Sequence, residues 1–177
     1  GKTSHDQFHQ IVGKALHIML AAVLAVFCQN ISAAAPPGDG SEVIRILESN
    51  KKARRLEGGM LRLARPIIKK TPMGYVMDNI TMMIVCPVED DDNTFAPKVE
   101  ALIEENYTLA GSVNDEEKAI SLYVDTPKDD HCSLLILRSI KPDNAIMLFK
   151  GDFTIEDLQE VGRRSEEDSR RRRQARK

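Results

Sequence analysis

Outside its first 35 residues the chain offers one imidazole, His131, and two thiols, Cys86 and Cys132, as its only strong acid-base or nucleophilic side chains. A cysteine–histidine hydrolase needs the sulfur and a ring nitrogen within hydrogen-bond reach of each other. His131 and Cys132 are neighbours, and on a strand neighbours point to opposite faces. That leaves Cys86 with His131 as a dyad, and with it an alternative reading as a cryptic Cys-His or metal-dependent hydrolase. Asp129, Asp130, His131 and Cys132 are metal-ligand types, but adjacent residues of one loop converge poorly on an ion without a second contributing loop. The run Glu89, Asp90, Asp91, Asp92 lacks the alternating ligands and the glycine of a calcium loop. Its simpler role is to place carboxylates near the positive N-terminus of a helix opening at Thr94. No phosphate-binding glycine loop, HExxH, nucleophile elbow or CxxC is present. The inventory predicts no catalytic residue, cofactor or metal. Cys86 and Cys132 either pair in a disulfide, if the compartment is oxidising, or serve as small buried hydrophobes.

Binding chemistry is better represented. From Lys51 to Lys70 eight cations face a single acid, Glu57. Arg54, Arg55, Arg62, Arg65, Lys69 and Lys70 form a candidate partner-binding basic face, suited to anionic lipid headgroups or an acidic protein surface. The plainer alternative is a solvated helix face. Residues 163–177 add eight Lys or Arg against three acids, whereas residues 36–162 hold 15 basic and 23 acidic side chains. The body is therefore no general polyanion binder. The run Arg170 to Arg173 has no interleaved aromatic on which a base would stack, so no nucleic acid is expected as a partner.

These residues must be held by something of modest size. At 177 residues, 42% hydrophobic and 29% charged, the chain has the composition of one globular domain with a leader and a tail. Residues 1–35 read as a signal peptide: Lys14, the apolar run Ile18 to Cys28, then the small residues Ser32 to Ala35. Eleven apolar residues fall short of the roughly 20 that a transmembrane helix needs. Phe27 ahead of Cys28 is too bulky for a lipoprotein signal. His5, His9 and His17 would leave with the leader. The predicted organisation is a signal peptide over 1–35, a linker over 36–40, a single domain over 41–162, and a basic, disordered tail over 163–177. The product would be exported to the periplasm or cell envelope.

Within the domain, Ser41 caps a first short helix to Asn50, and residues 51–57 are ambiguous between helix and strand. Met60, Leu61, Leu63, Ala64, Ile67 and Ile68 recur at helical spacing, with Pro66 as a potential kink. Thr71 and Pro72 open a further helical stretch through Met77. Ile80 to Val85 is an apolar run with the character of a strand covered on both faces. A helix capped by Thr94 carries Val99, Leu102, Ile103 and Tyr107 on one side. Strands over Thr108–Val113, Ala119–Val124, Ser133–Ile140 and Ala145–Lys150 are separated by turns short enough for an antiparallel meander. A last helix is capped by Thr154 and stopped by Gly162. The fold class is therefore α+β, a mainly antiparallel sheet of four to five strands with helices packed on one face. The nearly unbroken apolar strands Leu134–Leu137 and Ile146–Phe149 require cover on both sides at the sheet centre, from helices, a partner or a second copy.

Three phrases carry a family likeness: Gly59-Met60-Leu61-Arg62-Leu63-Ala64, Glu104-Glu105-Asn106-Tyr107 before a hairpin, and, most specific, Lys150-Gly151-Asp152-Phe153-Thr154-Ile155-Glu156-Asp157-Leu158. With the order of elements from Ala53 to Val161, the chain resembles an exported domain-of-unknown-function family common in Bacteroidetes, DUF4252. The resemblance implies a leader peptide, a periplasmic or envelope location, an α+β fold and a link to envelope signalling. It brings no activity with it, and the Arg-rich tail departs from the family's usual ending. The expected function is a cell-envelope interaction domain that binds an unidentified protein or envelope lipid without catalysis. A structural homodimer covering the apolar sheet stands as a second alternative to the hydrolase.

Overall fold

The computed structural model describes residues 40–114, 116–125 and 129–177; the signal peptide and nearly all of the linker expected over 1–40 lie outside them. In chain order the elements are α1 (Ser41–Ser49), β1 (Arg54–Glu57), α2 (Gly58–Ile68), a 3-10 helix (Pro72–Asn79), β2 (Ile80–Pro87), α3 (Phe95–Asn106), β3 (Thr108–Asn114), β4 (Ala119–Val124), β5 (His131–Lys141), β6 (Ala145–Thr154) and α4 (Ile155–Ala175).

The strands form one antiparallel sheet in the order β1-β2-β6-β5-β4-β3. The expected meander β3 to β6 is present. The sheet has six strands rather than four to five, because β2 adds to the meander's last strand and the ambiguous segment before Gly58 pairs onto β2 as a short edge. Nothing local distinguishes a four-residue edge strand from a loop; its partner supplies the hydrogen bonds that make it a strand.

Helices cover both faces, not one. Val43, Ile46 and Leu47 of α1 and Ala96, Val99 and Ile103 of α3 pack with Met82, Ile84, Cys86, Leu134, Ile136, Ile146 and Leu148. Across the sheet, α2, the 3-10 helix and α4 contribute Leu61, Ile68, Met77, Leu158 and Val161 to a core with Met83, Val85, Leu135, Met147, Phe149 and Phe153. The alternation of side chains along each strand assigns residues to these two cores, so the unbroken apolar runs of β2, β5 and β6 feed both at once.

Three helix ends differ from expectation. Ser41 is the first helical residue of α1 rather than its cap, a position taken by Gly40 in the left-handed region (φ 80°). Thr94 stands at the N-cap of α3, but its side chain makes no capping bond; the Asp92 carboxylate instead accepts from the backbone N–H of Thr94 (2.9 Å) and Phe95 (2.8 Å). Those donors, led by Thr94, hold the Asp92 carboxyl below the usual range. Gly162 does not stop α4, which starts in a Thr154–Asp157 capping box and runs on to Ala175, so the tail expected to be disordered is helical. Arg163 with Glu160 and Glu167, and Arg172 with Asp168, form pairs at helical spacing that sustain this polar extension beyond the core.

Candidate functional site

Placement of the reactive side chains decides what chemistry is open to them. Cys86 pairs with Ile146 at the start of β6, and His131 pairs with Thr154 at its end. Eight strand positions separate those partners, about 27 Å at 3.4 Å per residue. No Cys86–His131 dyad can form. Cys86 is buried in the core beneath α1 and α3, where burial pushes its thiol up to about 11, away from nucleophilic character at neutral pH. Cys132 belongs to the other core. Bridgeable cysteines need Cα atoms within about 7 Å and side chains aimed at each other, which opposite sheet faces preclude.

His131 is exposed, and its Nδ1 lies 2.7 Å from Asp152 Oδ1. The hydrogen bond to Asp152 raises its pKa above the ordinary 6.5. Asp129 and Asp130 are both exposed in the turn before it, at φ 53° and 63°, a left-handed conformation that short acidic side chains tolerate better than most residues. The backbone carbonyl of Asp130 accepts from Ile155 N–H at 3.1 Å. Turn geometry thus accounts for this acidic pair. Among the described residues no group of three or more His, Cys, Asp or Glu side chains is arranged to hold a metal ion.

The raised pKa has a sign that can be checked. His131 gains its partner only in the folded state, so the contact contributes stability below pH 6.5 and loses it as pH rises through the folded-state value. A ring-proton NMR titration, with the resonance assigned by its absence in His131→Gln, is expected to place the His131 midpoint above 6.5 and to return it toward 6.5 in Asp152→Asn. Equal midpoints in the two proteins would refute the pairing.

The six cations of the sequence-level basic face do not form one surface. Arg55 reaches Glu48 of α1 at 2.9 Å and Glu57 at 3.3 Å. The adjacent Leu56 points into the opposite core with α2. Arg54 folds back onto the carbonyls of Lys51 (2.8 Å) and Ala53 (2.9 Å). Arg62 is exposed on α2, and Arg65 is half-buried with its Nε lacking a hydrogen-bond partner.

Lys69 and Lys70, at the end of α2, take part in something the sequence hid. They line a cleft of about 430 Å³ with Thr71 and with Arg163, Arg164, Glu167, Asp168 and Arg171 of α4. Five cations against two acids leave this cleft at a formal +3. Gly74 holds the corner: a Cβ there would lie 2.5 Å from the Lys69 carbonyl oxygen, so only glycine lets the 3-10 helix pack this closely against the chain that bears the lysines. Glu160 engages Arg163 and Arg164, and these pairs, Arg163 first, pull its carboxyl down to about 2. Lys69 is 3.9 Å from Asp78. Lys70 and Arg171 form no ion pair among the described residues, so their fields are the least compensated. Arg164 lies over the ring of Tyr75, 4.6 Å from its centroid, tying the 3-10 helix to α4 beside the cleft. Sequence reasoning had the Lys51–Lys70 cations and the Arg-rich tail as separate features; their convergence has no signal in a linear pattern.

Comparison with known proteins returns one relationship. Residues 48–161 match the family described as Domain of unknown function (DUF4252). No curated protein and no solved structure matches the chain.

Proposed function

The chain belongs to the DUF4252 family, and because that membership brings no chemistry with it, we propose from the chain's own surface that it is an interaction domain that binds an anionic partner without catalysis. The observation that carries this reading is the cleft between α4 and the end of α2, with its five cations against two acids, where Lys70 and Arg171 form no ion pair among the described residues. The leader-like stretch through Cys28 supports an exported, cell-envelope setting for it. The remote placement of Cys86 and His131 favours binding over the hydrolase. A negative body weighs against indiscriminate polyanion binding, and a local positive cleft on such a body favours one orientation of approach.

The test uses dextran sulfate as a generic polyanion and the full chain. Lys70→Glu/Arg171→Glu is expected to bind it at least about thirtyfold more weakly than the parent, since two favourable short-range charge contacts of about 1 kcal/mol each are lost. The difference should shrink on going from 0.1 M to 1 M salt, as the screening length falls from about 10 to about 3 Å. A variant that binds as the parent does, or a difference indifferent to salt, would sink the reading.

A further inference from the structure

The occupant of the basic surface is narrowed by the apolar residues around it. Five large hydrophobic side chains are exposed among the described residues, and three of them, Met60 (44%), Leu63 (64%) and Tyr75 (45%), lie in the segment that ends at or follows the cleft lysines. On α2, the exposed Met60 and Leu63 stand at i and i+3 on one side of the helix, and half-buried Ile67, a turn further toward Lys70, packs against the core. Tyr75 sits under Arg164, one of the cleft cations. Exposed apolar side chains interspersed with cations are the signature of a surface that sinks shallowly into a headgroup layer.

The terminal helix extends the same charge. α4 is 21 residues long, about 31 Å. Beyond Ser165, buried at 2%, every residue whose exposure is described is exposed or half-buried. Arg170, Arg171, Arg172, Arg173, Arg176 and Lys177 all lie on this exposed end. It has no apolar face and cannot insert by itself. No helix among the described residues is long and apolar enough to cross a membrane.

We propose that the cleft, the Met60–Leu63–Tyr75 patch and the Arg-rich end of α4 together form a peripheral docking surface for a membrane rich in anionic phosphate headgroups. This deepens, and rests on, the reading of the cleft as an anion site. Lys70 and Arg171 meet phosphates in the cleft, and Leu63 and Met60 enter the headgroup layer beside it. The cations of α4 are spread along a helix instead of being gathered in a pocket. Headgroups that move laterally meet such a dispersed set readily, whereas a protein partner would need acids fixed at matching points. Each basic residue near an anionic leaflet contributes, on the order of a five-fold gain in partitioning.

The experiment is co-sedimentation of the full chain with vesicles of neutral phosphatidylcholine alone and with 30 mol% phosphatidylglycerol, at about 0.1 M salt. The apolar run Ile18–Cys28 contributes equally to both, so the difference between the two compositions is the readout. The parent is expected to partition at least about tenfold more strongly onto the anionic vesicles. Lys70→Glu/Arg171→Glu should lose most of that difference. Leu63→Ser should weaken binding a few-fold on anionic vesicles while keeping its salt dependence. Circular dichroism of each variant, unchanged from the parent, shows that the fold is intact. Equal partitioning of the parent onto both vesicle types overturns the proposal, as does a charge-reversed variant that binds anionic vesicles like the parent. Retention of dextran sulfate or of polyglutamate without vesicle binding overturns it too, while leaving the anion site standing. Failure on all of these probes removes both.

Discussion

Gly151→Ala is expected to destabilise the protein by about 3 kcal/mol or more, although it adds a single methyl group. A Cβ at Gly151 would lie 2.1 Å from the backbone oxygen of Asn79 and 2.9 Å from the Phe153 ring. An oxygen of the main chain cannot swing aside as a side-chain tip would. Asn79 ends the 3-10 helix, and the next residue, Ile80, is paired with Gly151 across β2 and β6. The register shifts immediately afterwards, between Ile80 and Met82, and Thr81 Oγ1 donates to the Lys150 carbonyl at 3.1 Å. Relief of the clash would therefore have to displace either the entry of β2 or the exit of β6, two central strands of the sheet. For a chain of this size the loss corresponds to a fall in Tm of about 10 °C, measurable by calorimetry. A melting temperature within about 2 °C of the parent would show that the strands yield locally and that the close approach is not needed. The phrase from Lys150 to Leu158, inside the family match, is in this light a structural joint: Gly151 admits Asn79, Phe153 fills the core, and Thr154 caps α4.

Arg138→Ala is the second large effect, at about 3 kcal/mol. Arg138 stands on β5, on the face covered by α1 and α3, with its side chain only 11% exposed. Its Nε donates to Glu100 Oε1 of α3 at 2.6 Å. Its Nη1 donates to the Ser139 carbonyl (2.6 Å) and to Asn144 Oδ1 (2.7 Å), the latter in the β5–β6 turn. Asn144 in turn donates to Asp90 Oδ1 at 3.2 Å, in the loop before α3. One guanidinium thus fastens a helix, a hairpin turn and a loop at one end of the sheet. Removing it leaves these acceptors without their donor in a partly dry site, which costs more than the ion pair itself contributed. Arg138→Lys keeps the charge but loses the planar fork, so it should recover about half of the loss. The measurement is urea unfolding of parent and both variants. If Arg138→Ala and Arg138→Lys are equally stable, the fork is irrelevant and the network is not what holds this end together.

Neither residue stood out in the linear text. Gly151 was read only as part of a family phrase and Arg138 only as one position in an apolar strand, because the partner that gives each its importance is far along the chain. Asp125 is a third such case. It is buried, its carboxylate accepts from the N–H of Ser133 (2.9 Å) and Leu134 (3.0 Å), and it closes the β4–β5 connection. The reactive side chains could be counted in the sequence but not placed, since the scarcity of histidine is a property of composition. Their arrangement, with Cys86 and His131 at opposite ends of β6, needed the strand pairing.

What the sequence determined by itself is the kind and order of the elements: the meander, the covered strand from Ile80, the Thr154 cap, and the stripe of α2. These follow from hydrophobic period and local capping, which act over fewer than about ten residues. Tertiary structure alone decided that β2 joins β6 rather than β3, the next strand along the chain, that residues 54–57 are a strand, and that helices lie on both faces. It also decided that Lys70 meets Arg171 across a cleft. Each of these depends on burial and close packing between segments tens of residues apart, and a pattern read along one chain holds no distance between such segments.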